Sequence, residues 1–126
     1  MKPLRLPWLW TGLWLLLVAA VVVLSLGSPP SGPDVPASDK WQHLTAYGVL
    51  ALGAVQLFRP GRALTTAALA LVLLGVGLEV AQGTLTENRM MDWRDAVANA
   101  AGVALGLLSS RTRARDLLVD AVPSRA

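Results

Sequence analysis

The chain has 126 residues, of which 54% are hydrophobic and only 15% are charged. A soluble domain of this length carries more charge and less Leu, Val and Ala, so the composition excludes a soluble enzyme, a secreted disulfide scaffold and a disordered tail. The chain contains no cysteine, which also excludes a thiolate nucleophile and a Cys-rich metal site.

The first apolar segment, residues 8–26, contains no charged residue. As a helix it is roughly 28 Å long, which is enough to cross the hydrocarbon core of a bilayer. Lys2 and Arg5 precede it, and a basic start is also typical of a signal peptide. Signal-peptide apolar regions are shorter, however, and no Ala-x-Ala site follows this segment. We therefore expect a retained transmembrane helix preceded by a short cytoplasmic N-terminus, residues 1–7.

A linker rich in Pro, Gly and Ser, residues 27–38, separates this segment from three further apolar ones. The third segment is apolar except for Glu79 near its end. The fourth contains Asn99 and is short for a span, so its polar residues are expected to face protein rather than lipid. The sequence therefore predicts an all-α integral membrane four-helix bundle. Its spans are predicted at residues 8–26, 39–58, 63–80 and 92–110, followed by a basic cytoplasmic tail, residues 111–126.

The charged residues are distributed unequally between the two ends of such a bundle. Alternating spans place eight basic and two acidic residues at one end, and three basic and six acidic residues at the other. The positive-inside rule then predicts a multi-pass protein of the inner (plasma) membrane with both termini in the cytoplasm. Because topology explains the excess positive charge, we expect membrane lipids and no nucleic acid as partners. The basic residues of the cytoplasmic end are Lys2, Arg5, Arg59, Arg62, Arg111, Arg113, Arg115 and Arg125.

Polar residues occupy one face at the outer end of the second predicted helix. Lys40, His43 and Tyr47 are spaced i, i+3, i+7 and lie within roughly a 60° arc. Asp39 precedes them and fits a helix N-cap, with Gln42 at the capping-box position. Interfacial anchoring is the simpler interpretation of His43 and Tyr47, since amphipathic rings favour the head-group level. A basic group, an imidazole and a phenol on one face favour a functional cluster.

The third predicted helix carries Glu79 and Gln82 on one face. That face continues through small or polar residues, which indicates packing against another helix and points the carboxylate into the bundle. A carboxylate inside a membrane segment is a candidate functional residue, although a structural hydrogen bond to a neighbouring span is the alternative. The remaining residues of this face are Thr65, Ala68, Val72 and Gly75.

The fourth predicted helix continues the pattern with acidic residues, an asparagine and glycines within roughly an 80° arc. The two aspartates suit an N-cap and the third helical position, where they also favour the positive end of the helix dipole. The asparagine lies deeper and is best explained by an interhelical hydrogen bond, while the GxxxG pair allows close backbone approach. These residues are Asp92, Asp95, Asn99, Gly102 and Gly106, with Ala98 one step before the glycines.

Arg89 ends the loop before the fourth helix. It is the natural partner for Glu79, Asp92 or Asp95, because a guanidinium forms bidentate pairs with carboxylates better than an ammonium does. A solvated loop charge is the alternative.

Three short motifs therefore follow one another: Asp39-Lys40-x-x-His43-x-x-x-Tyr47, Glu79-x-x-Gln82 and Arg89-x-x-Asp92-x-x-Asp95-x-x-x-Asn99-x-x-Gly102. In this order and spacing they resemble the VanZ-like family of bacterial membrane proteins, over about residues 38–106. The loop differs from the family pattern. Related proteins often carry an aromatic or bulky residue and Pro-Gly before the arginine, whereas residues 83–88 here do not, and Met90 and Met91 follow it.

The resemblance implies a multi-pass protein of the cell envelope. The family takes its name from a protein linked to glycopeptide resistance, chiefly to teicoplanin, and its biochemical mechanism is not settled. We expect the polar residues at the outer ends of the second, third and fourth helices to bind the head group of a lipid or lipid-linked cell-wall precursor, or another envelope protein. Lys40 and Arg89 would contact phosphate, Tyr47 and Asn99 would supply hydrogen bonds, and the carboxylates would hold the basic groups in place.

Two alternatives belong to other functional classes. An intramembrane enzyme acting on a phosphorylated lipid would use acid–base chemistry, or a divalent cation with oxygen and imidazole ligands, from His43, Glu79, Asp92 and Asp95. A purely structural bundle would use the polar face only to specify helix packing. With one histidine and no activated serine or cysteine, the balance favours a protein that is not an enzyme. We assign no catalytic residue, expect no cofactor and assign no metal ligand.

Overall fold

Four long helices account for most of the chain in the computed structural model, which describes residues 1–27, 38–87 and 90–123. Over these ranges the protein is all-α, as predicted, and contains no β-strand. Two 3-10 turns, Ser109–Arg111 and Arg113–Asp116, follow the fourth helix. The helices are α1 (Pro7–Leu26), α2 (Ser38–Leu57), α3 (Arg62–Leu85), α4 (Trp93–Leu108) and a short α5 (Leu117–Ala121).

The third helix is longer than the apolar pattern predicts, since it continues past residue 80 to Leu85. Threonine side chains satisfy carbonyls of its last turns: the Thr84 hydroxyl donates to the Val80 carbonyl at 2.8 Å, and the Thr86 hydroxyl to that of Gln82 at 2.6 Å. The end of apolar character therefore does not mark the end of the helix.

Two helices of the described residues, α1 and α3, are long and apolar enough to cross a membrane. No residue of α1 is buried within the protein, although most of its side chains are large and apolar. An uncovered apolar helix of this length suggests association with a membrane.

The second helix lies at the centre of the bundle and contacts α1, α3 and α4. Its side chains Tyr47, Leu50 and Ala51 form the main apolar core together with residues of α3 and α4. The first helix is attached to it by Trp14, whose indole Nε1 donates to the Leu50 carbonyl at 2.9 Å. The Trp14 ring also meets Phe58 edge to face, with ring centroids 5.9 Å apart.

The fourth helix runs close along α2, with glycines at the contact. A Cβ atom on Gly102 would lie 3.0 Å from the Gly48 amide nitrogen, and one on Gly106 would lie 2.6 Å from the Gly48 carbonyl oxygen. Both neighbours are α2 backbone atoms, so the approach requires residues without a side chain. We call this contact between α2 and α4 the glycine seam.

The first residues of the chain contact the segment after α4 at the end of the bundle where α2 finishes. The Lys2 amide donates to the Leu57 carbonyl at 2.8 Å, and the Lys2 ammonium donates to the Arg115 carbonyl and pairs with Asp116 at 3.1 Å. Gln56 also binds the C-terminal segment through the Ala114 carbonyl. Hydrogen bonds from Arg115 and then Lys2 hold the pKa of the Asp116 carboxyl below its usual value. Two basic residues of this end, Lys2 and Arg115, therefore take part in the contact between the N-terminal and C-terminal segments.

Candidate functional site

The polar residues that the sequence singled out come together at the opposite end of the bundle. There α2 and α4 begin and α1 and α3 end, as contacts of Lys40 with Asp92, His43 with Glu79 and Gln82 with Ser25 show. Two helix N-termini therefore lie side by side, and their positive dipole ends favour negative charge nearby. We call the group formed by Asp39, Lys40, His43, Glu79, Asp92, Asp95 and Asn99 the outer cluster.

Lys40 is the centre of the exposed part of the outer cluster. Its ammonium lies 3.1 Å from Asp39 Oδ2, 3.2 Å from Asp92 Oδ2 and 3.0 Å from Asp95 Oδ1. An ammonium group has three N–H donors, and each finds a carboxylate oxygen here. Lys40 thus connects the first turn of α2 to the start of α4.

His43 lies one turn deeper, between three polar side chains. Its Nδ1 atom is 3.0 Å from Asn99 Oδ1 and 3.7 Å from Glu79 Oε1. Its Nε2 atom is 3.6 Å from Asp95 Oδ2. Only the contact with Asn99 is within hydrogen-bond distance, so the two carboxylates approach the imidazole without bonding to it.

Glu79 forms the deepest part of the outer cluster, with 1% of its surface exposed. Neither of its carboxylate oxygens has a hydrogen-bond partner among the described residues. A buried carboxylate without a partner carries a desolvation cost of several kcal/mol, so such groups are rare unless they serve a function. Glu79 is therefore the most unusual residue of the site.

The aspartates at the helix starts have ordinary local roles as well. Asp92 is the N-cap of α4, as the sequence predicted, and accepts from the Arg94 amide at 2.9 Å. Asp95 lies in the first turn and is buried. Asp39 is not the N-cap of α2, since the helix begins at Ser38 and Asp39 lies inside its first turn. There the carboxylate pairs with Lys40 and still benefits from the helix dipole.

Two predicted site residues belong to the packing around the outer cluster. Gln82 is buried and donates from Nε2 to the Ser25 carbonyl at 2.7 Å, which ties α3 to the end of α1. Tyr47 is buried rather than placed at the membrane interface, with 2% of its surface exposed. The sequence could not predict the role of Ser25, because it accepts through its backbone carbonyl, which every residue type has.

Small residues make room for these side chains. A Cβ atom on Gly75 would lie 3.0 Å from Asn99 Cβ and 3.2 Å from Tyr47 Cε1. Gly102 and Gly106 form the glycine seam below, whereas Ala98 is only half-buried. Arg89, the predicted partner of the carboxylates, lies outside the described residues, and its role stays a prediction.

We predict that Gly75→Ala disturbs the outer cluster through Asn99. The added methyl group meets side chains rather than backbone, so the neighbours shift and the unfolding free energy falls by about 1 kcal/mol. The ¹⁵N chemical shifts of His43, the single histidine of the chain, should change with it. Gly77→Ala on the same helix is the control, because a Cβ atom there meets nothing within 4 Å. Unchanged His43 shifts in Gly75→Ala would contradict the prediction.

The outer cluster carries a net negative charge. Four carboxylates, those of Asp39, Glu79, Asp92 and Asp95, face one ammonium group, that of Lys40. The two helix N-termini at this end of the bundle offset part of this charge. The site is therefore suited to attract a cationic group.

No protein-family model, curated protein or solved structure matches this chain.

Proposed function

We propose that this chain is a VanZ-like multi-pass protein of the bacterial inner membrane, and that its outer cluster binds an amine-bearing head group of a lipid or lipid-linked cell-wall precursor. The observation that carries the proposal is the concentration of buried and half-buried ionisable groups at one end of α2, α3 and α4. Ionisable groups at membrane depth are costly and mark functional sites by default.

The membrane placement is supported by the apolar surface and by the charge distribution. Helices α1 and α3 are each long enough to span, and α4, with 16 residues, is accommodated because its polar face packs on α2. The basic residues gather at the end opposite to the outer cluster. Under the positive-inside rule that end faces the cytoplasm, which directs the outer cluster to the outer leaflet.

The chemistry of the head group follows from the charge of the outer cluster. Lys40 was expected to contact phosphate, but each of its donors already faces a carboxylate. The net negative charge disfavours a bare phosphate and favours an ammonium group, which would share the aspartates with Lys40. Phospholipid amines and the free amines of lipid-linked wall precursors both have this chemistry. Binding of such a precursor would connect the protein to teicoplanin susceptibility.

An intramembrane enzyme is the second candidate, and one observation favours it. His43 lies within 3.7 Å of Glu79 and within 3.6 Å of Asp95. An imidazole between two carboxylates contains the groups needed to accept and return a proton. Turnover of a phosphorylated lipid by the purified protein would support this function over simple binding.

Native mass spectrometry of gently purified protein tests the proposal. The wild-type protein should retain phosphatidylethanolamine, which bears an amine, in preference to phosphatidylglycerol, which does not. Asp95→Asn removes one carboxylate from both Lys40 and His43, so this preference should be lost.

Asp120→Asn is the matched control, because it makes the same change at an exposed position near the opposite end of the bundle. It should retain the wild-type preference. Equal retention of both lipids by the wild-type protein would reject the amine-binding proposal. If Asp95→Asn kept the preference for phosphatidylethanolamine, the outer cluster would not be the site that binds the amine.

A further inference from the structure

We propose that His43, Glu79 and Asp95 form a binding site for one divalent transition-metal cation, with Zn²⁺ as the first ion to test. This inference concerns the deep part of the outer cluster, and it does not require the head-group function proposed above.

The three side chains supply the ligand types that such cations use. One imidazole nitrogen and one oxygen from each carboxylate all lie within 4.8 Å of one another. Zinc binds nitrogen and carboxylate oxygen at about 2.0–2.2 Å, so two of its ligand atoms are at most about 4.3 Å apart. A shift of up to about 1.4 Å brings all three to the separation of about 3.4 Å expected on a tetrahedral ion.

The separations around His43 also fit ligands better than hydrogen bonds. Asp95 Oδ2 lies 3.6 Å from Nε2, the ring nitrogen that would bind the ion, and beyond hydrogen-bond reach. Glu79 Oε1 lies 3.7 Å from the other ring nitrogen, Nδ1, which faces Asn99. Two atoms bound to one zinc at a tetrahedral angle are about 3.4 Å apart. The separation between Asp95 Oδ2 and His43 Nε2 is therefore close to that of two ligands on one tetrahedral ion.

Glu79 provides the second, independent observation. Its carboxylate is 1% exposed, and both oxygens lack a partner within the described part of the chain. Asp39, Asp92 and Asp95 each contact Lys40, whereas Glu79 contacts no lysine or arginine among the described residues. A cation between Glu79 and His43 would supply the missing counter-charge.

The hydrogen bond to Asn99 prepares the imidazole for this role. The Asn99 Oδ1 atom can only accept, so the Nδ1 atom that faces it at 3.0 Å carries the proton. The Nε2 lone pair is then free on the side of Asp95. Metal-bound histidines commonly donate their second N–H to such an acceptor, which fixes the ring orientation.

Asp95 divides its two oxygens between the neighbours. Oδ1 accepts from Lys40, while Oδ2 faces His43 Nε2. A metal ion can therefore bind without displacing Lys40. The side-chain exposure falls from 57% at Asp39 through 32% at Lys40 and 11% at Asp95 to 1% at Glu79, so the proposed ion lies below the exposed part of the outer cluster.

Zinc titration of chelator-stripped full-length protein in a phospholipid-free detergent tests the site. The wild-type protein should bind one Zn²⁺ per chain, measured by calorimetry and by metal analysis after gel filtration. Glu79→Gln should weaken the affinity by at least about 100-fold, and Asn99→Ala by about 10-fold, because it removes the hydrogen bond that orients the imidazole. Asp120→Asn should bind as the wild-type protein does.

The ¹⁵N signals of His43 report zinc binding directly in the wild-type protein, without any substitution. Zinc should shift the Nε2 resonance and leave Nδ1 protonated, and no other histidine interferes. An Nε2 signal that does not respond, or stoichiometric binding that persists in Glu79→Gln, would overturn the proposal. Because no phospholipid is present, failure here would leave the amine-binding proposal intact, and failure of lipid selectivity would leave this one intact.

Discussion

Replacing Gly102 or Gly106 by alanine is expected to separate α2 from α4 and to lower the unfolding free energy by about 3 kcal/mol, at the upper end of overpacking effects. The added Cβ on Gly106 would lie 2.6 Å from both the Gly48 carbonyl oxygen and Ala51 Cβ. On Gly102 it would meet the Gly48 amide nitrogen and the Leu44 carbonyl. Because these neighbours are mostly backbone atoms, no rotamer change relieves the clash.

Thermal or denaturant unfolding in detergent measures the effect. Gly77→Ala is the control, since its Cβ would enter open space and alanine favours a helix by about 1 kcal/mol. The seam variants should also lose the Lys40 contacts between α2 and α4, and with them the zinc and lipid binding proposed above. Seam variants as stable as Gly77→Ala would show that the helices do not approach as closely as the structure has them.

Glu79→Met is expected to make the metal-free protein more stable, by about 2 kcal/mol. The wild-type carboxylate is buried without a partner among the described residues, and replacing such a group by an apolar one of similar shape removes its desolvation cost. The measurement is unfolding in the presence of a chelator. Stability gained by removing a polar residue is characteristic of a functional position rather than a structural one.

Gln82→Met is the matched control, because Gln82 lies one turn away on the same helix and is equally buried. Its amide donates to the Ser25 carbonyl, so the substitution should lower the unfolding free energy by about 1 kcal/mol. Changes in unfolding free energy of opposite sign for Glu79→Met and Gln82→Met would indicate a functional role for Glu79 and a packing role for Gln82. If Glu79→Met destabilised the protein as Gln82→Met does, the purely structural interpretation of the polar face would gain support.

The two proposals divide the outer cluster by depth. The exposed part, where Lys40 holds three carboxylates, suits an amine at the surface of the bilayer. The deep part, where Glu79 has no partner within the described residues, suits a metal ion. Asp95 belongs to both parts, so its substitution is expected to affect lipid selectivity and zinc binding together, whereas Glu79→Gln is expected to affect zinc alone.

The sequence by itself determined the helices and the face on which each polar residue lies. Apolar segments bounded by Pro and Gly predicted helices starting at residues 8, 39, 63 and 92, and the observed starts lie within one residue of these. The 3.6-residue period placed His43 with Lys40, and Asn99 with Asp95. These properties are local, because a helix and its faces depend on residues within a few turns. The span number, the orientation and the VanZ-like resemblance stay predictions.

Only the tertiary structure decided which side chains meet. In the structure Lys40 contacts three aspartates and Tyr47 is buried. Asp39 lies inside the first turn of α2 rather than at its cap, and Glu79 has no partner among the described residues. Each of these outcomes depends on the depth and rotation of one helix against another. Those are set by close backbone contacts such as the glycine seam, between residues more than 50 positions apart in the chain. A periodic pattern within one helix contains no information on that register.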